Sequence, residues 1–293
     1  MRLLLTFAAL AAVPMSAAAQ IGPTDVDALP SSPPTVTLPY GSDSLQVGDL
    51  RIPQGKGPFP VVVLIHGGCW TKGYARRQNL AALATALQAR GIATWNIEYR
   101  QQGDAGGGYP GMFLDWSRAT DALRDLAKNQ PIDLKRVVVA GHSAGGHGAL
   151  WIAARPRVPR TSDIATKDPL PVTAAVDIDG PGDLAPFVGF DAEVCGRPVI
   201  EPMMGGSIKD HLDRYKAATP YDLLPIGVPQ YLVSAAVLSP DAAAEYKAHA
   251  TAAGDKVSIV RLENSGHFEP IAPGTPQEKQ VEDLIVSLMN GGR

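Results

Sequence analysis

Apolar residues along this chain follow two patterns in turn. Runs at 61–65, 92–98, 137–140, 172–178, 231–235 and 257–262 are short, continuous and rich in β-branched residues. Such runs suit strands buried on both faces. Longer stretches between them are periodic. Over 76–90, Leu80, Leu83, Ala84 and Leu87 share one face, and Gly91 ends the pattern. Over 113–128, Trp116, Ala119, Leu123 and Leu126 form a second stripe. Both spacings predict amphipathic helices. Further helices are predicted just after residue 143, over 241–253 with Ser239 or Asp241 as its cap, and over 277–289. Segments 36–38 and 45–52 read as a β-hairpin ahead of this series. Alternating strands and helices predict an α/β protein with a mostly parallel sheet and helices on both faces.

The remaining segments set the boundaries. Residues 180–228 carry Gly, Pro and apolar clusters without a clear period, and read as a lid or pocket wall over the sheet edge. Residues 20–34, rich in Pro, Ser and Asp, read as a flexible arm. Residues 1–19 have the form of a cleavable secretory signal: Arg2, an apolar stretch too short to span a bilayer, then Ala17, Ala18 and Ala19. One domain is therefore expected over 35–293, exported to the periplasm or the medium.

Composition adds exclusions. The 293 residues are 45% hydrophobic and 19% charged, with a net charge of -3. No long basic run invites nucleic acid or an anionic membrane. Cys69 and Cys195 are the two cysteines. Export would permit them to pair, and each stands beside a candidate site element. No Cys/His spacing suggests zinc, and no cofactor is expected.

The chemistry concentrates where Val137–Ala140 runs into Gly141-His142-Ser143-Ala144-Gly145-Gly146. G-x-S-x-G between a strand and a helix forces the serine hydroxyl up from a tight turn. The flanking glycines are needed because a side chain there would meet the neighbouring strand and helix. A helix N-terminus behind the serine favours developing negative charge. His66, Ser143 and His267 each follow a predicted strand, and in parallel sheets sites gather at the carboxyl ends.

Together, His66-Gly67-Gly68-Cys69-Trp70, the Ser143 elbow and Ser265-Gly266-His267-Phe268-Glu269 resemble the α/β-hydrolase superfamily. They are most similar to its branch of acetylxylan and feruloyl esterases, kynurenine formamidases and hormone-sensitive-lipase relatives. The resemblance implies an eight-stranded sheet and a serine esterase taking small-molecule esters. It makes Ser143 the nucleophile and His267 the base. It puts the oxyanion hole at the backbone N–H groups of Ala144 and of the Gly67-Gly68-Cys69 turn. His66 is expected to brace that turn. His147, His211 and His249 are expected on solvated helix faces, and Arg100 to pair with Asp115. Trp70, Tyr99, Phe187 and Met203 are candidates for the pocket or the core.

The chain departs from the superfamily at the acid. The loop where it usually stands, 233–240, has no carboxylate. Asp179, ending the preceding strand, is the first choice, a Ser–His dyad the second, and Asp241 the third. Exchange of Asp179 for Asn is expected to cost activity with little loss of stability. Beside an esterase, the pattern admits an amidase, either a formamidase or a small peptidase, and a non-catalytic hydrolase-fold binding protein.

Overall fold

The computed structural model describes residues 20–290. The eight strands are β1 (Val36–Pro39), β2 (Val47–Arg51), β3 (Phe59–Ile65), β4 (Ala93–Ile97), β5 (Ile132–His142), β6 (Ala174–Ile178), β7 (Gln230–Ser234) and β8 (Val257–Arg261). They form one sheet in the order β1-β2-β4-β3-β5-β6-β7-β8. Only the β1–β2 and β2–β4 pairs are antiparallel. The expected α/β-hydrolase architecture is present.

The continuous apolar runs do what their composition predicts. Val61, Val63 and Ile65 face one helix layer and Val62 and Leu64 the other, all fully buried. Each such side chain contributes about 1.5–3 kcal/mol by leaving water. The first layer holds α3 (Gly111–Asp121), α5 (Ala144–Ala154) and α9 (Pro240–Ala252). The second holds α2 (Ala81–Ala89) and α10 (Pro276–Met289). Strand order reverses about β3, so the crevice between the carboxyl ends of β3 and β5 is where a parallel sheet offers a site.

Several local expectations need correction. The helix expected over 76–90 opens as a 3₁₀ turn at Arg77–Leu80 before α2. That over 113–128 divides at Ala122 into α3 and α4 (Leu123–Leu126). The excursion 180–228 contains three short helices, α6 (Asp191–Cys195), α7 (Ile200–Met204) and α8 (Leu212–Ala218). Ile200, Met203, Met204 and Tyr215 from it join the core. Residues 20–34, expected as a flexible arm, are docked. They form α1 (Pro23–Asp27), bury Val26 against α2, and engage Thr85 and Arg51 through Ser32. The expected signal lies in residues 1–19, outside the described residues. Among the described residues no helix is long and apolar enough to cross a membrane.

Candidate active site

Ser143 sits between β5 and α5 with φ 57° and ψ -122°. A non-glycine residue there costs about 1–3 kcal/mol of strain. Its own N–H donates to the carbonyl of Ile178 at 2.9 Å, and its carbonyl accepts from Gly146 at 2.8 Å. The glycines are required sterically. A Cβ on Gly141 would lie 1.9 Å from the carbonyl oxygen of Gly145, and one on Gly145 would lie 2.0 Å from that of Ile65.

The turn after β3 meets this elbow: a Cβ on Gly67 would come within 2.9 Å of the Ser143 Cβ. Gly68, Cys69 and Trp70 all have positive φ, of 100°, 52° and 52°. Among the described residues, the N–H groups of Gly68, Cys69 and Ala144 donate to no backbone carbonyl. They are free for an oxyanion. The strained turn is fixed at several points. Cys69 is bridged to Cys195 of α6, the pairing that the sequence left open. The Trp70 indole donates to His147 Nδ1 at 3.1 Å. His66 Nε2 meets Glu98 at 3.0 Å, its Nδ1 meets the Gly67 carbonyl at 2.8 Å, and Tyr99 donates to the His66 carbonyl at 2.7 Å. Burial would raise the Glu98 carboxyl, but His66, the Arg77 N–H and Arg76 outweigh it and hold it at about 2. His66 thus braces the turn, as its place in the sequence suggested.

Asp179 and the loop after β7 meet at one carboxylate. Asp179 follows β6 with φ 58°, and its Oδ2 lies 2.7 Å from His267 Nδ1. Four consecutive backbone N–H groups hold the same carboxylate. Ala235 and Leu238 donate to Oδ1 at 3.0 and 2.9 Å, and Ala236 and Val237 to Oδ2 at 3.0 Å each. The loop that lacks a carboxylate instead cradles one from the neighbouring strand. Burial opposes charge on Asp179, yet the hydrogen bond and charge of His267 and the N–H groups of Val237 and Ala236 leave it below the ordinary value. Asp241 is exposed in the first turn of α9, whose cap is Ser239, accepting from Ala242 N–H at 3.1 Å.

Two further histidines pack about the site. His142 stands at the variable position of the elbow, between Gly141 and Ser143. Its ring lies 4.4 Å from that of His267 and its Nε2 is 2.8 Å from the His267 carbonyl oxygen. Burial, then the neighbouring His267, lowers it to about 3, so it is a neutral donor through Nε2. His147, expected on a solvated face, is fully buried. It accepts from Trp70 and donates to the Ala218 carbonyl at 2.8 Å, and burial lowers it to about 4. Trp70, Tyr99 and Met203 belong to the core, whereas Phe187 also lines a cavity. Arg100 pairs with Asp115 as expected, at 2.7 and 2.8 Å.

The eight-stranded, mostly parallel sheet flanked by helices is that of the α/β-hydrolase class. Within it, the BD-FAE family model matches residues 49–234, and the chain belongs to that family. It is 33% identical over 110 residues to Esterase LipC of Mycobacterium tuberculosis, a match covering 37% of this chain and 27% of LipC. The match thus spans about a quarter of that relative's length. Two solved structures share the fold. A truncated carbohydrate esterase from gut microbiota has a TM-score of 0.70 at 20% identity, over 87% of this chain and 97% of that one. An acetyl ester-xyloside bifunctional hydrolase from Caldicellulosiruptor lactoaceticus has a TM-score of 0.69 at 18% identity, over 88% and 96%.

Proposed function

We propose that the protein is a serine hydrolase that cleaves small carboxylic esters through an acyl-enzyme on Ser143. The observation that carries this reading is the short hydrogen bond from His267 Nδ1 to a cradled, ionised Asp179. With its proton fixed on Nδ1, His267 presents a basic Nε2 that takes the Ser143 proton as Oγ attacks the ester carbonyl. Asp179 stabilises the imidazolium formed in that step. The N–H groups of Ala144, Gly68 and Cys69 receive the oxyanion, and His267 returns the proton to the leaving alkoxide. Water then enters by the same route to release the acid. Family membership and the esterase names of the relatives support ester chemistry.

An exported enzyme, periplasmic or secreted, agrees with the Cys69–Cys195 bridge, since disulfides persist in oxidising compartments. The test of the activity is steady-state hydrolysis of p-nitrophenyl acetate, sugar acetates and feruloyl esters beside p-nitroacetanilide. Turnover of esters well above the anilide is expected. Absence of turnover on every ester would overturn the reading, and faster anilide cleavage would favour an amidase.

A further inference from the structure

A cavity of about 230 Å³ lies against the acid loop. Leu232, Val237, Leu238, Phe187 and Tyr246 line it, and none of Ser143, His267, Gly68, Cys69 and Ala144 does. Val237 and Leu238 thus turn their N–H groups to Asp179 while contributing to the wall of a second space. The wall is mostly apolar. The Tyr246 hydroxyl is engaged with Gln230 Oε1 at 2.7 Å, which leaves its ring as apolar surface.

One polar group in the wall is unexplained. Asp177 is fully buried, and its Oδ1 accepts from Gly180 N–H at 2.9 Å. Its Oδ2 has no hydrogen-bond partner among the described residues. Burial, with Asp179 nearby, pushes this carboxyl well above the usual carboxylate range, and the Gly180 N–H opposes this only in part. A neutral carboxylic acid offers an O–H donor. Asp183 and Glu245 add two acidic side chains to the lining, and Phe190 adds an exposed aromatic ring. A carboxylate ligand would be repelled there, while an uncharged ring would be welcomed. The volume suits a single ring, because an apolar cavity of about 150 Å³ already holds benzene.

We propose that this cavity is a second ligand site, separate from the serine pocket, for an uncharged single-ring aromatic compound carrying one hydrogen-bond-accepting oxygen that meets Asp177. Ester hydrolysis releases an anionic acid and an uncharged alcohol, so the site favours compounds of the alcohol or intact ester kind over the acid. An occupant would press on the loop that holds Asp179.

The probes are acetophenone, benzoate and ethylbenzene, titrated by calorimetry against native enzyme and against enzyme whose Ser143 carries a fluorophosphonate. Acetophenone is expected to bind at about 1 mM or tighter, equally to both forms. Ethylbenzene is expected to bind about 3–10-fold more weakly for want of the hydrogen bond, and benzoate not measurably. Ala242→Trp, at an exposed position in the cavity lining, should abolish acetophenone binding while p-nitrophenyl acetate turnover persists. Loss of binding on phosphonylation, unchanged binding in Ala242→Trp, or benzoate binding as well as acetophenone would overturn the proposal. So would no binding by acetophenone. Because binding is read without turnover, failure here leaves the esterase assignment standing.

Discussion

Replacing Asp179 by Asn changes one heavy atom, reverses the hydrogen bond with His267 and breaks the one from Ala236. The carboxylate accepts from His267 Nδ1 at 2.7 Å and from four backbone N–H groups at 2.9–3.1 Å. An amide has one oxygen for these donors. If that oxygen stays with Ala235 and Leu238, the NH₂ faces His267 Nδ1 and the N–H groups of Ala236 and Val237. It then donates to Nδ1, so the imidazole proton moves to Nε2, where it cannot accept from Ser143. In a serine protease the equivalent exchange lowers kcat by about 10⁴-fold, and a fall of that order is expected here with p-nitrophenyl acetate. The cradle also alters the stability expectation. Hydrogen bonds to a charged group contribute about 1.5–3 kcal/mol each, and at least one is lost or reversed. Asp179→Asn should therefore lower the melting temperature as well, by several degrees, contrary to the small change that the sequence suggested. Steady-state kinetics at a temperature where circular dichroism shows the variant folded separate the two effects. A folded Asp179→Asn enzyme retaining kcat within about 10-fold of the parent would refute the triad and favour a Ser143–His267 dyad.

Other substitutions test other parts of the architecture. Cys195→Ser opens a bridge spanning 126 residues; it should cost about 5 kcal/mol in the chain-entropy model and lower kcat by freeing the Gly68–Cys69 turn, both read from melts and kinetics. His142→Phe keeps the ring against His267 but removes the donor to its carbonyl, so kcat should fall about 3–10-fold with KM unchanged. Glu278 is raised from 4.5 to about 7, chiefly by burial and then by Glu282. The folded state thus holds its proton more tightly, and that stability is full below about pH 4.5 and lost as pH rises through 7. Glu278→Gln should stabilise by about 1–3 kcal/mol at pH 8 and by little at pH 4.5, measured by denaturant titration at both.

What could be read in the sequence was what is local. Val61–Ile65 is apolar throughout because both faces of β3 are covered, and the G-x-S-x-G glycines stand where the Gly145 and Ile65 carbonyls leave no room. Ser143 and His267 were legible because each follows a strand. Less visible was whatever depends on distant backbone. The Asp179 cradle uses N–H groups 56–59 residues away, and a backbone donor leaves no mark on residue type. His147 is buried because Trp70 and Ala218 reach it from other segments. Helices of five to seven residues, such as α6, α7 and α8, are too short to show a period. Arm 20–34 reads as unstructured by composition, yet Val26 packs it on α2 and Ser32 ties it to Thr85 and Arg51.

The central claim is that Ser143 Oγ becomes covalently bonded during turnover. Its most direct test is labelling with a fluorophosphonate, followed by peptide mass spectrometry and by the same experiment on Ser143→Ala. A single adduct on the peptide containing Ser143 is expected, together with loss of esterase activity in proportion to labelling. Ser143→Ala should take up no label and lose about 10³-fold or more of kcat. An adduct on another residue, or esterase activity that persists in Ser143→Ala, would contradict the account.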